Sequence, residues 1–394
     1  MKILLEDTIP FGRDYLSDVG DVTTYAWQSL APEKLQGIDI LALRSTTKVT
    51  PALLAKADKL QFVTTATAGT NHLDKDYLTS ANINFNSAAG CNAVAVAEYV
   101  LSVLLHAHKA KKLDLNKAKV GIVGAGNVGS ALSRILTVLR IEHILCDPPL
   151  EESGDTRSFK SLSDIAKCDV ITLHVPYVKA GAHPTGQLID QDFLASLSSD
   201  QLLINACRGE VIDEASLLAR LQQDNAPTVV LDVFDNEPHV DTSLFDYAWF
   251  VTPHIAGHSV EGKVRGTQMI YEQICDIVSA PVNKALGDFL EPTTPVVAKL
   301  AHPKAEHLSF DDLVAVFHQV YDISIDDAHT RDTLMAEGTL GTQNNESIGS
   351  KFAALRKQYR VRRECSAYVL EVPSSTSRNI QNTLSALGFE VKLA

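Results

Sequence analysis

No stretch of this chain approaches the roughly 20 consecutive apolar residues that a bilayer-spanning helix needs. The longest apolar run, from Ala93 to Leu105, is broken by Glu98. The opening residues Met1-Lys2-Ile3-Leu4-Leu5-Glu6-Asp7 meet an acid too soon for a secretory signal. Both absences point to a cytoplasmic protein without a membrane contact. A basic excess is missing as well. The 35 Lys and Arg face 48 Asp and Glu, a net charge of −13, which argues against general nucleic-acid binding. An anionic ligand then requires local clusters of Arg and Lys. The six cysteines, Cys91, Cys146, Cys168, Cys207, Cys275 and Cys365, are scattered and form no Cys-x-x-Cys pair. Neither a disulfide framework nor a zinc centre is expected. Internal repeats and low-complexity tracts are also absent.

What the chain does have is a regular succession of short apolar runs. Lys2-Ile3-Leu4-Leu5, Ile38 to Leu43, Phe62 to Thr65 and Ile83 to Phe85 are separated by helix-length segments. That rhythm predicts a parallel sheet. Pro51 to Ala57 starts like a helix, with Pro in its first turn. Cys91 to Lys112 predicts one long helix. A second series follows, with strands expected at Lys119 to Val123, Ile144 to Cys146, Val170 to Leu173, Leu202 to Ile204, Val229 to Leu231 and Phe250-Val251. Gly262 to Ala280 reads as a helix returning to the first domain. Prolines 281, 292 and 295 mark a linker, and the last residues read as β-α-β.

The first strand of the second series runs straight into Gly124-Ala125-Gly126-Asn127-Val128-Gly129, which opens a helix. A strand–turn–helix context is what a dinucleotide-binding turn requires. Gly124 allows the tight turn, Gly126 lets backbone approach a pyrophosphate, and Gly129 lets helix and strand pack closely. The helix N-terminus favours anions. Asp147 ends the next strand, 23 residues beyond Gly124. A carboxylate there bonds ribose hydroxyls and repels a 2′-phosphate, so NAD is favoured over NADP. The expected fold is α/β. It comprises a doubly wound parallel-sheet (Rossmann) NAD domain over residues 93–255 and a discontinuous flavodoxin-like α/β domain over residues 1–92 plus 256–284. A small α+β C-terminal domain over residues 285–394 completes it.

Three further segments sit just past strands. They are Asn205-Ala206-Cys207-Arg208-Gly209, Asp232 to Pro238 with Glu237, and Thr252-Pro253-His254-Ile255-Ala256-Gly257. An Arg can grip a carboxylate with two parallel bonds. A His can take a hydroxyl proton, and a Glu can orient that His and stabilise its charged form. With a nicotinamide at the glycine turn to take the hydride, these parts suit oxidation of a 2-hydroxy acid. Arg208, Glu237 and His254 are therefore the expected catalytic residues. Cys207 reads as a small residue packed at a strand end.

The glycine turn, the Arg208 turn, Glu237-Pro238 and the His254 strand end resemble the D-2-hydroxyacid dehydrogenase superfamily. More particular strings resemble a branch of it that acts on a phosphorylated four-carbon acid. These are Arg44-Ser45-Thr46-Thr47-Lys48-Val49, Thr65 to Thr70, Ala89 to Ala93, Cys146-Asp147-Pro148-Pro149, Glu261 to Thr267, and the basic tail around Leu355-Arg356-Lys357 and Arg362-Arg363-Glu364. The resemblance implies oxidation of 4-phospho-D-erythronate to its 2-oxo acid with NAD, by a cytoplasmic homodimer. Carried over by position, Ser45 and Thr67 touch the substrate. Asn127, Val128, Asp147, Asp232 and Gly257 touch the cofactor, and His254 donates and accepts the proton. The branch has Tyr as a further substrate contact where this chain has His258, which is shorter and titratable.

A phosphorylated substrate calls for extra positive charge. Arg44 and Lys48 flank Ser45, and Lys351 to Arg363 holds six basic residues in 13. A solvated or dimer-facing helix is the favoured reading of that segment, with one of its basic residues reaching the phosphate as the alternative. A phosphoglycerate-type dehydrogenase, a plain lactate-type dehydrogenase and a NAD-sensing scaffold without turnover remain compatible with the motifs.

Overall fold

Residues 1–335 and 345–394 are described by the structure, a computed structural model. Contacts divide the chain into unit 1, Met1–Asn92 with Ser259–Pro292, and unit 2, Ala93–His258 with Thr293–Ala394.

Unit 1 holds β1 (Lys2–Glu6), β2 (Asp21–Tyr25), β3 (Ile40–Leu43), β4 (Phe62–Thr65) and β5 (Asn84–Ser87). They form one parallel sheet in the order β2-β1-β3-β4-β5. Strands β3 and β4 are buried along their whole length, which is why they read as continuous apolar runs. β2 lies at the edge and alternates exposed with half-buried residues. Its sequence, Asp-Val-Thr-Thr-Tyr, offered no apolar run to find. Pro51 to Ala57 makes only a 3-10 turn, Leu53–Lys56, rather than the expected helix. The helix Val260–Val278 lays Val264, Ile270, Tyr271, Ile274 and Cys275 against Ile3, Leu5, Ile40 and Phe62. Leu4, Leu41, Leu43 and Val63 fill the opposite face with Leu54 and Leu78.

Unit 2 holds β6 (Lys119–Val123), β7 (Glu142–Cys146), β8 (Val170–Leu173), β9 (Leu202–Asn205), β10 (Thr228–Leu231) and β11 (Phe250–Val251). All six strands expected in this stretch are present. They pair in parallel in the order β11-β10-β9-β8-β6-β7. Alternate residues feed opposite faces. Val120, Ile122, Val170, Ile204 and Val230 pack with the helix Ala93–Lys109 and the helix Asn127–Val138. Val123, Ile171, Leu173, Leu203 and Leu231 pack with Leu194, Leu217 and Leu221. Strand order reverses between β6 and β8, and ligands of doubly wound sheets gather at such a switch point. The α/β class expected from the sequence is the observed one.

The rest of unit 2 carries the helices Phe310–Phe317, Ile323–Leu334 and Asn345–Lys357. A small parallel sheet of β12 (Val296–Val297), β13 (Val369–Val372) and β14 (Glu390–Leu393) closes it. The expected terminal β-α-β is β13, the helix Arg378–Ala386 and β14.

Candidate active site

The glycine turn follows β6 at the switch point. Gly124 has φ +92°, and a Cβ there would lie 2.5 Å from the carbonyl oxygen of His174. A Cβ on Gly129 would lie 2.0 Å from the Gly124 carbonyl oxygen. Both glycines are demanded by backbone packed against backbone. Gly126 differs, because a Cβ there would meet nothing within 4 Å. The room it leaves belongs to a ligand-sized space. A cavity of about 610 Å³ is lined by Gly124, Gly126, Asp147, His174, Pro176 and Thr185, among others. That volume falls within the usual range for small-molecule and cofactor sites. No side chain caps the helix Asn127–Val138 at Gly126, so its first N–H groups are available to an anion.

Asp147 follows β7 and braces the turn. Its Oδ2 accepts from the Ala125 N–H at 2.8 Å and its Oδ1 from the Leu150 N–H at 3.1 Å. Arg157 supports the same turn from the other side. Its Nη1 donates to the Ala125 carbonyl at 2.9 Å and to Ser130 Oγ at 2.8 Å, while Nε and Nη2 hold the Asp155 carboxylate. No motif marks Arg157 in the sequence. His174 is half-buried at the cavity wall, and desolvation pushes its imidazole down to about 3, so it stays neutral. The open glycine turn, the uncapped helix and Asp147 together fit a dinucleotide.

At the ends of β10 and β11, Asp232 organises a tight turn. Its Oδ1 accepts from Thr252 Oγ1 at 2.7 Å and from the Ile255 N–H at 2.8 Å, and its Oδ2 accepts from the Ala256 N–H at 2.9 Å. Asp232 is 1% exposed. Burial raises its carboxyl, and the charge of His254 and these three bonds offset only part of that. The turn puts His254 in the left-handed region at φ +56°, with its N–H on the Asp232 carbonyl at 2.6 Å.

His254 Nδ1 then lies 2.7 Å from Glu237 Oε2. Glu237 Oε1 accepts from the Phe234 N–H at 3.1 Å. Burial raises the Glu237 carboxyl, but the bond and charge of His254, the charge of Arg356 and the Phe234 N–H outweigh it. The net position is below the usual carboxylate range. A carboxylate on Nδ1 selects the Nδ1–H tautomer and leaves Nε2 to take a proton.

Arg208 follows β9. Asn205 Nδ2 donates to the Arg208 carbonyl at 2.9 Å, and the Cys207 N–H donates to Asn205 Oδ1 at 3.2 Å. The Arg208 turn is pressed onto the Glu237 loop, since a Cβ on Gly209 would stand 1.9 Å from the Phe234 carbonyl carbon. Burial pushes the Cys207 thiol up to about 11, which makes it inert. Gly257 and His258 continue from the His254 turn, and the His258 ring meets Tyr359 edge-on at 6.0 Å.

Unit 1 gathers its own polar loops at the ends of β1, β3 and β4. Glu6, fully buried, accepts from the Arg44 N–H at 3.0 Å and from the hydroxyls of Thr8, Thr46 and Thr47 at 2.6, 2.6 and 2.7 Å. It thereby fixes the Arg44-Ser45-Thr46-Thr47 loop. Thr67 Oγ1 lies 2.8 Å from Thr65 Oγ1. Lys263 lies within the Glu261 to Thr267 string, which by itself gives it no role. Burial and the charge of Arg44 hold its amine below the usual lysine range. Arg208, Glu237, His254 and Asp232 thus stand at one sheet edge of unit 2, and Gly124, Gly126 and Asp147 share one cavity. Arg44, Ser45 and Thr67 belong to unit 1.

Among the described residues no helix is long and apolar enough to cross a membrane. A family profile described as D-isomer specific 2-hydroxyacid dehydrogenase, NAD binding domain, matches residues 97–256. A second, described as a domain of unknown function (DUF3410), matches residues 300–388. The chain is 43% identical over 397 residues to the erythronate-4-phosphate dehydrogenase of Marinobacter nauticus, covering all of both chains. It is 42% identical over 394 residues to that of Pseudoalteromonas atlantica, again at full coverage. The D-lactate dehydrogenase from Aquifex aeolicus, solved with NAD and lactic acid, shares the fold with a TM-score of 0.58 at 22% identity, over 70% of this chain and 95% of that one. The chain carries an NAD-binding dehydrogenase domain and belongs to the erythronate-4-phosphate dehydrogenase family of D-2-hydroxyacid dehydrogenases.

Proposed function

We propose that this chain oxidises 4-phospho-D-erythronate to (R)-3-hydroxy-2-oxo-4-phosphooxybutanoate with NAD, as a step toward pyridoxal 5′-phosphate. The observation that carries the reading is the 2.7 Å pair of Glu237 and His254, packed beside the Arg208 turn in a chain of this family. Arg208 grips the substrate carboxylate with two parallel bonds. His254 Nε2 takes the proton of the C2 hydroxyl, and Glu237 stabilises the imidazolium that results. NAD, when bound, supplies the hydride acceptor. Gly124, Gly126, Asn127, Val128 and Gly129 would hold its pyrophosphate, and Asp147 its ribose. Gly257 would lie at the nicotinamide end, and Asp232 would keep that turn in shape. Ser45, Arg44, Thr67 and His258 are the proposed substrate contacts, with the phosphate drawn to positive charge. The protein is proposed to work in the cytoplasm as a homodimer, joined through residues 285–394.

A substrate panel tests this reading. NADH appearance should be fastest with 4-phosphoerythronate and at least tenfold slower in kcat/KM with 3-phosphoglycerate or D-lactate. Preference for phosphoglycerate would move the assignment to that substrate, and no turnover with any acid would favour a NAD-sensing scaffold.

The Glu237–His254 pair makes a signed pH prediction. An ionised Glu237 favours the charged imidazole, so Glu237→Gln lowers the His254 pKa. The base must be neutral to accept a proton. The rising limb of kcat/KM against pH should therefore move to lower pH by about one unit, while kcat falls by roughly 10- to 100-fold. A limb that stays in place or moves upward contradicts the pairing.

A further inference from the structure

The segment that matches the profile described as a domain of unknown function lies against the Glu237 and His254 loops. Within unit 2, the helix Asn345–Lys357 and the residues after it follow the Glu237 and His254 loops side by side. Phe352, fully buried, meets Phe234 edge-on at 6.1 Å. Gly349 allows this approach, since a Cβ there would stand 2.7 Å from the His239 ring. Farther along, Arg362 donates from Nη1 to the Ala256 carbonyl at 2.9 Å and lies over Tyr321. Between these anchors, Arg356 Nη1 stands 3.6 Å from Glu237 Oε2. That is the same oxygen that holds His254 Nδ1. Arg356 Nε is buried with no hydrogen-bond partner among the described residues, and Nη1 stands beyond hydrogen-bond reach of Glu237, so the guanidinium acts on Glu237 through charge.

We propose that Arg356 is a positioning residue whose fixed charge, placed on the Glu237 carboxylate that it shares with His254, limits the proton affinity of His254, so that the C-terminal segment completes the catalytic machinery. The proposal rests on His254 being the base. Guanidinium and imidazolium share one carboxylate oxygen. The fixed charge of Arg356 favours the carboxylate and disfavours a second cation beside it. The effect is to limit how far the Glu237 carboxylate favours the charged imidazole.

Other charged groups face this pair. Asp232 lies beneath the His254 turn, and His258 follows it. Asp235 and Asp241 flank Glu237, and Glu214 accepts the Asp235 N–H at 2.6 Å. Burial, with Asp235, Asp241 and Glu237 adding to it, pushes the Glu214 carboxyl up to about 7. It would titrate near neutral pH, so the test is made in a Glu214→Gln background, where the amide oxygen can still accept that N–H.

The experiment compares Arg356→Met with Arg356→Lys in the full-length protein. The readouts are the NMR titration of the His254 Cε1–H, assigned by its loss in His254→Gln, and the pH profile of kcat/KM. Arg356→Met should raise the His254 pKa and the rising limb by about one unit. Arg356→Lys should leave both near their original positions. An unmoved His254 titration in Arg356→Met overturns the proposal, however far activity falls. A raised KM for the phosphorylated substrate with an unmoved limb also overturns it and assigns Arg356 to substrate binding. Arg356→Gln gives the same comparison if the Met variant fails to fold. The NMR arm needs no substrate, so failure of the proposed reaction and failure of this inference are separable.

Discussion

Replacing His254 by Gln is expected to lower kcat by about 10²- to 10⁴-fold, the span that a general base contributes. Gln can still donate to Glu237 in place of Nδ1–H, but it has no second nitrogen that can take a proton. The effect should therefore fall on the chemical step. NAD affinity should change by less than about threefold, because His254 does not line the cavity at the glycine turn. Steady-state kinetics with an independent titration of NAD binding separates the two effects. A variant with normal turnover would mean that another group takes the proton. A variant that also loses NAD would mean that His254 shapes the cofactor site.

The second large effect is expected at Gly209. A methyl group there would overlap the Phe234 carbonyl carbon at 1.9 Å, its oxygen at 2.1 Å and the Asp235 nitrogen at 2.2 Å. All three neighbours are backbone atoms, so no rotamer change relieves the clash. Either the Arg208 turn or the 232–237 loop must move. Gly209→Ala should cost roughly 3 kcal/mol or more of stability. It should also lower kcat/KM by about 10²-fold or more, since displacements near 1 Å at a catalytic group are that costly. Urea unfolding and kinetics at a temperature where the variant stays folded would check both parts. A fully active, fully stable Ala variant would contradict the close packing of the two loops.

These two residues show what the chain discloses before it folds. The central strands of both sheets were readable because parallel strands buried on both faces keep apolar side chains in succession, as in Ile40–Leu43 and Val170–Leu173. β2 was not readable, because an edge strand with one wet face needs no such run. The glycine turn was readable from its spacing after a strand. That Gly209 is equally constrained was not, since its conflict is with Phe234, 25 residues away in sequence. Asp232 was marked by its position, but its task as the acceptor for three donors of the 252–256 turn depends on the parallel pairing of β10 and β11.

The basic tail was legible as charge and not as placement. Arg362 neither reaches for a phosphate nor faces water. It is 2% exposed, bonded to the carbonyls of Ala256 and Ala95, and stacked on Tyr321 at 3.6 Å. Arg356, six residues earlier, arrives beside Glu237. Composition gives both residues the same charge, and only packing gives them different work. Arg157 carried no mark in the sequence, and Lys263 stood in a quoted string without a role, because each owes its surroundings to partners distant in sequence.

The central claim is that hydride leaves C2 of a phosphorylated 2-hydroxy acid for NAD while His254 takes the hydroxyl proton. Mass spectrometry of the NADH formed from 4-phosphoerythronate deuterated at C2 tests it most directly. The account predicts that each NADH carries one deuterium and that the 2-oxo product carries none at C2. Unlabelled NADH, or no NADH at all from this acid, would contradict it.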